Sequence, residues 1–249
     1  MQAGYVFDPI GIIHSCFTEK FGIPRQPGLA PDARASLEIR PPYDRDEAVR
    51  GLEAFSHLWI VFVFHAIPRG KWQPTVRPPR LGGNRRLGVF ATRSGFRPNP
   101  IGISVAALDG IRRRNGRLLL DLSGVDLLDR TPVLDVKPYL PYADALPEAA
   151  GGFADRRPAA ALALVFSDAA NDACRRLEDD YPGFGRLLEQ VLGADPRPAY
   201  AARQDGRTEF GLRLYDVNVR WTFAGGVIRV NTIERPADAS PPDPPPVGG

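Results

Sequence analysis

The sequence predicts a mainly β protein, a β-barrel N-terminal domain followed by a smaller α+β C-terminal domain. Three observations carry this expectation. Up to about residue 140 the periodic segments are short, strand-like and joined by tight turns, with few helix signals between them. Residues 139–158 then become rich in Pro, Ala and Gly, as a linker does. Beyond them, helix start and stop signals alternate with further strand patterns. A chain of 249 residues is ample for a substantial core. Its 25 Gly and 26 Pro stay below the share of roughly 25–30% that marks low-complexity chains.

The elements follow in order. Residues 10–15 open a β pattern, and 37–39 add a short strand after a Pro/Gly-rich loop. A brief helix is expected over 44–49, with an Asp cap, acids in its first turn and Gly51 past its end. Residues 57–65 form a continuous apolar run of β-branched and aromatic side chains, which reads as a strand buried on both faces. Strands at 87–91 and 101–111 come next, and the second meets 117–122 through Asn115-Gly116, the strongest short hairpin signal. Residues 133–136 close the set. After the linker, 161–166 reads as a strand, Ser167 or Asp168 caps a helix to about Tyr181, and a second helix runs from Phe184 to a C-cap at Gly193. Strands at 207–215, 217–223 and 227–233 complete the pattern, with a turn at Gly225-Gly226. The expected boundaries are 1–145, 160–235 and a Pro-rich, disordered tail at 236–249.

Composition excludes several classes. Apolar runs such as 58–64 are far shorter than the roughly 20 residues of a membrane span. The N-terminus has no Lys or Arg before Lys20 and no sustained apolar stretch, and Cys16 and Cys174 make no disulfide framework, so a cytoplasmic protein is expected. The sequence GFG at 183–185 has Leu188 where a dinucleotide-binding loop needs its third Gly, and no Walker loop is present. His14 and Cys16 share a strand face without a second pair at ligand spacing, so no metal is expected.

Charge distribution is more informative than the net charge of +3. Between Glu53 and Asp109 there is no acidic residue, yet Arg69, Lys71, Arg77, Arg80, Arg85, Arg86, Arg93 and Arg97 all fall there. A preference for Arg over Lys accounts for the residue type but not for the missing acids, so an anion-binding surface is expected. The loops PRQPG (24–28), RPPRLGGNRR (77–86) and RSGFRPNPIG (93–102) set guanidinium groups on stiff or close-approaching backbone, suited to a carboxylate or phosphate. DLLD (126–129) offers two carboxylates for a ribose diol or an ammonium group, or simply turn chemistry. His65 leaves its strand into the acid-free stretch.

These residues match a known pattern. GVFATRSGFRPNPIG (88–102), preceded by RGLEAFSHLWIVFVFH (50–65) and PTVRPPRLGGN (74–84), resembles the TrmO family, also called YaeB or TsaA-like. The resemblance continues through DLLDRTPVLDVKPYLPYAD (126–144), DPRPAY (195–200) and YDVNVRW (215–221), with Arg130 standing where a smaller residue is expected. It implies a tRNA methyltransferase whose S-adenosylmethionine contacts lie at Pro24, Arg25, Gln26, His65, Ala66, Arg93, Ile103, Asp126, Leu127, Leu128 and Asp129. The implied reaction methylates the exocyclic N6 amine of a threonylcarbamoyl-adenosine 3′ of the anticodon. The donor is preactivated, so neither a metal nor a covalent intermediate is required. The acceptor nitrogen is a weak nucleophile, and His65 or Asp129 is nominated to help remove its proton. Contacts to the tRNA anticodon stem-loop are expected from Arg86, Arg97, Asn99, Arg197, Tyr200 and Arg220, and a homodimer is implied. The competing readings are a noncatalytic module that binds S-adenosylmethionine or RNA, and a small-molecule methyltransferase.

Overall fold

The computed structural model describes residues 4–68, 70–156, 158, 162–197 and 209–236; the expected tail beyond 236 lies outside them. Six strands of the N-terminal half, β1 (Gly11–Ser15), β2 (Arg34–Ile39), β3 (His57–Val63), β6 (Ile101–Arg114), β7 (Arg117–Ser123) and β8 (Pro132–Pro138), pair in the order β1-β2-β7-β6-β3-β8. β1 also pairs with β8, through Gly11 opposite Val133, so the ring closes into a barrel. Asn115 and Gly116 both adopt positive φ, 51° and 78°, and turn β6 into β7 as their residue types require.

Burial on β3 alternates. Leu58, Ile60 and Phe62 point into the barrel, while His57, Trp59 and Val61 face outward, so the strand is not buried on both faces as its continuous apolarity suggested. The Phe62 ring lies where a side chain at residue 102 would stand, since a Cβ on Gly102 would come within 2.3 Å of it. Two further expectations are corrected. Residues 87–91 do not join the barrel; β5 (Leu87–Gly88) pairs only with β4 (Thr75–Val76) in a two-stranded ribbon, followed by a 3-10 turn at Val89–Ala91. The first helix, α1 (Asp46–Val49), has no side-chain cap, and Asp46 is drawn instead to Arg113 at 2.9 Å.

The linker contains the single-turn helix α2 (Pro141–Asp144) and a 3-10 turn at Gly152–Ala154. The second half forms a sheet of β9 (Ala163–Phe166), β10 (Glu209–Leu214), β11 (Val217–Ala224) and β12 (Val227–Glu234), in the order β10-β11-β12-β9 with β9 parallel to β12. α3 (Asp168–Leu177) and α4 (Phe184–Gly193) accompany it. Ser167 caps α3 by accepting a hydrogen bond from the Ala170 amide at 3.1 Å; the helix ends at Leu177, and the C-cap of α4 is Ala194 rather than Gly193.

One hydrophobic core runs through both halves, from Ile13 and Leu120 to Leu188 and Trp221. The segment after β1 is the bridge. The Tyr215 amide donates to the Cys16 carbonyl at 2.8 Å, the Arg213 amide to Glu19 at 2.8 Å, and Gln190 to Asp32 at 2.6 Å. Residues 23–26 lie between these anchors, so the second module fixes a loop that borders the barrel.

Candidate active site

Where the bridge passes the end of β3, a cavity of about 460 Å³ opens. Four stretches distant in sequence meet there: 20–26, 62–67, 93–96 and 126–131, with Ile103 of β6 between them. Of the eleven expected cofactor positions, ten line it: Pro24, Arg25, Gln26, His65, Ala66, Arg93, Ile103, Asp126, Leu127 and Leu128. Sequence reasoning missed Lys20, Phe64 and Thr131. The glycines beside them carried a signal. A Cβ on Gly95 would lie 2.5 Å from the Phe64 ring, so the loop can rest on Phe64 only because residue 95 has no side chain.

The signature loop holds itself in shape. Arg97 donates from Nη1 to the carbonyls of Val89 (3.2 Å) and Thr92 (2.8 Å), and its guanidinium lies 5.5 Å from the Phe90 ring centre. This cation braces the loop through Nη1, the residue itself being half-buried. Arg93 differs: its Nη1 donates to the neutral Gln26 Oε1 at 2.7 Å, and among the described residues no carboxylate stands within ion-pair distance of it, although Asp126 feels its charge. Arg25 is exposed and likewise has no described acidic partner.

Two titratable groups face the cavity. The Asp126 carboxyl is pushed up to about 6, first by burial; the hydrogen bond from Ser104 Oγ, at 2.5 Å, and the nearby Arg93 charge act the other way. His65 is pushed below its ordinary value, first by desolvation and then by the Lys20 charge. Lys20 is itself held by the Ala66 carbonyl at 2.6 Å, and His65 Nδ1 lies 3.4 Å from Thr131 Oγ1.

Asp129 is the expected cofactor contact that does not line the cavity. Its Oδ1 accepts from the Ser15 amide at 3.0 Å, and its own amide donates to the Phe17 carbonyl at 2.7 Å, so it ties DLLD to the end of β1. The next residue, Arg130, has φ 62°, a left-handed conformation that explains why a smaller residue was expected there.

The expected RNA contacts separate. Arg86 is exposed and donates to Thr75 Oγ1 at 3.0 Å, and Asn99 is exposed in the signature loop. Arg220 is exposed on the outer face of β11, opposite Gly211. Arg197 is not available as expected: it is 8% exposed, paired with Asp195 through Nε (2.7 Å) and Nη2 (2.8 Å), and stacked 3.4 Å over Phe223. Tyr200 lies outside the described residues. Among the described residues no group of three His, Cys, Asp or Glu side chains is arranged to hold a metal.

Comparison with known proteins accounts for this convergence. Residues 12–145 match the family profile of the tRNA-methyltransferase O N-terminal domain, and 159–236 match that of the TrmO C-terminal domain. The chain belongs to the TrmO family. It is 47% identical over 233 residues to a tRNA (adenine(37)-N6)-methyltransferase of Escherichia coli K12, covering 94% of this chain and 99% of that one. It is 52% identical over 219 residues to a putative S-adenosylmethionine-dependent methyltransferase of Pseudomonas aeruginosa, covering 86% and 91%. A crystal structure of TrmO from P. aeruginosa superposes with a TM-score of 0.77 at 44% identity, over 95% of this chain and 99% of that one. The family boundary at 145 to 159 falls in the Pro/Ala/Gly-rich linker, between the barrel and the second sheet.

Proposed function

We propose that this chain methylates the exocyclic N6 amine of an adenosine immediately 3′ of a tRNA anticodon, using S-adenosylmethionine, and that its preferred acceptor already carries a threonylcarbamoyl group. One observation carries the reading: two cations without described acidic partners, Arg25 and Arg93, and one part-buried carboxylate, Asp126, converge on a largely apolar cavity in a TrmO chain.

The residues fit the cofactor. Arg25 and Arg93 suit its carboxylate, Asp126 suits its ammonium or ribose hydroxyls, and Ile23, Phe62, Phe64 and Ile103 supply apolar walls. Gly95 and Gly102 keep those walls close, because any side chain there would collide with Phe64 or Phe62. When bound, S-adenosylmethionine supplies a methyl group already activated on sulfur. The work left to the protein is alignment and removal of one proton from the acceptor nitrogen. Asp126 and His65 face the cavity in forms that accept a proton at neutral pH, the first ionised and the second uncharged. Asp129 is committed to the Ser15 amide, so the nomination moves from it to Asp126.

For the tRNA, the favoured surface is the β4–β5 ribbon and its flanks, where Lys71, Arg77, Arg80, Arg85 and Arg86 are exposed beside Trp72 and Phe90. Asn99 and Arg220 extend that set. A homodimer in the cytoplasm belongs to the same reading; no described helix is long and apolar enough to cross a membrane. Single-turnover transfer of labelled methyl to one tRNA transcript, with and without prior threonylcarbamoylation, tests it. Faster transfer to the modified transcript is expected, because acylation eases loss of the amine proton and adds a carboxylate for the Arg loops. Equal rates would remove the threonylcarbamoyl specificity, and binding of S-adenosylmethionine without transfer would leave the noncatalytic reading.

A further inference from the structure

On the outer face of the barrel, a groove of about 410 Å³ adjoins the cavity and shares two of its residues, Arg93 and Ile103. Its floor comes from the outward positions of β3 and β6, where Trp59 stands opposite Val105. Three rings gather there: Trp59 and Tyr139 at 5.8 Å and 44°, and His57 and Tyr139 at 6.4 Å and 60°. The indole is pinned. Trp59 Nε1 donates to Asp144 Oδ2 at 3.0 Å, and the same oxygen accepts the Leu140 amide at 2.8 Å, so the single turn of α2 fixes the ring's orientation.

We infer that this groove is the acceptor subsite, which takes an unstacked purine nucleotide against Trp59 and Tyr139 with its reacting edge toward the Arg93–Ile103 wall. The inference rests on the methyl-transfer reading above and assigns a place to its second substrate. In a direct displacement the acceptor atom must come within about 3–3.5 Å of the methyl donor, so the acceptor's site has to border the donor's cavity. Among spaces bordering that cavity, this groove presents rigid aromatic faces, and such faces hold extruded bases without requiring a particular sequence. Arg93 stands beside the neutral Gln26 and lines both spaces, whereas Arg25 lines the cavity alone; with Arg25 on the cofactor carboxylate, Arg93 is left to pair with an anionic substituent on the purine's exocyclic nitrogen. The fixed indole lowers the entropy cost of stacking.

An anticodon stem-loop RNA with 2-aminopurine at the acceptor position, titrated with the full-length protein in the presence of S-adenosylhomocysteine, tests the assignment. Stacking in the groove should quench the 2-aminopurine emission on binding. Trp59→Ala and Tyr139→Ala should each abolish most of that quenching and weaken stem-loop binding by roughly 5- to 150-fold, whereas Trp59→Phe should keep most of both. Calorimetric affinity for S-adenosylhomocysteine should stay within about twofold of wild type, which also shows that the variants are folded. The assignment is overturned if both alanine variants keep wild-type quenching and affinity, or if cofactor affinity falls in step with stem-loop affinity. It is also overturned if Trp59→Ala changes only the sedimentation behaviour, which would make the groove a contact between two copies of the chain. The parent reading fails separately, through a wild-type protein that binds no S-adenosylmethionine.

Discussion

The ribbon of the N-terminal half and the sheet module of the C-terminal half are both rich in arginine, yet their charges are in different states. In the ribbon, Lys71, Arg77, Arg80 and Arg85 are exposed and no described acidic residue pairs with any of them. In the second module, Arg175, Arg186, Arg197 and Arg235 pair with Asp172, Asp32, Asp195 and Asp180. Only unpaired charge can release counterions from a phosphate backbone at full effect. A cation already bound to a carboxylate must first give up that partner. Arginine count alone therefore does not separate the two regions, whereas the absence of acids over 54–108 does.

The largest effect expected from this difference comes from the ribbon. Arg77→Ala, Arg80→Ala and Arg85→Ala combined should weaken tRNA binding by roughly 10³-fold and make the logarithmic salt slope shallower by about two to three units. Filter binding across a salt series measures both, and an unchanged slope would end the ribbon's claim.

The contrast between paired and unpaired charge extends to carboxylates. Asp126 has Ser104 but no ion-paired cation, and its folded-state value of about 6 lies above the 3.8 of a free Asp. The folded protein therefore takes up this proton first as pH falls. The ligand-free protein should gain up to about 3 kcal/mol between pH 7 and pH 4 from this group, and that gain should be lost in Asp126→Asn. Urea unfolding at a series of pH values reads it. The same carboxyl should give methyl transfer an ascending kcat/KM limb near pH 6, absent in Asp126→Asn.

Smaller again is the change at Arg197. Losing its pair with Asp195 and its stacking on Phe223 should cost about 1–2 kcal/mol of stability while leaving the salt slope of tRNA binding unaltered. A slope shallower by one unit with unchanged stability would restore it as a phosphate contact. The smallest effect is at Arg220, exposed on β11: Arg220→Ala should alter the slope by about one unit at most and stability by less than about 0.5 kcal/mol.

Much of the site was legible because it rests on local chemistry. Asn115-Gly116 announced its turn, and the Gly, Pro and Arg spacing of 93–102 announced a loop that only a few backbone shapes satisfy. Ten positions that the family resemblance implied for the cofactor line one cavity, whereas the residues by themselves offered only Arg-bearing loops and the two carboxylates of 126–129. Pairing is what sequence could not reveal. The partner of Arg197 is two residues away, a spacing too common to flag, and Asp126 and Asp129 differ only in which faces the cavity and which faces Ser15. The same limit applied to β3, whose composition is uniform although its two faces pack against different neighbours. Trp59 was invisible as a site residue for that reason, since it lies in an apolar run that reads as core.

On the proposed reading, the barrel half supplies both the donor cavity and the main hold on the tRNA. Single-turnover methyl transfer at physiological salt, comparing the Arg77, Arg80 and Arg85 triple alanine variant with a double Arg197→Ala, Arg220→Ala variant, tests this. The ribbon variant is expected to lose roughly 10²- to 10³-fold in transfer at limiting enzyme with unchanged calorimetric affinity for S-adenosylmethionine, while the second-module variant stays within about tenfold of wild type. The reverse order, or loss of cofactor affinity in the ribbon variant, would contradict it.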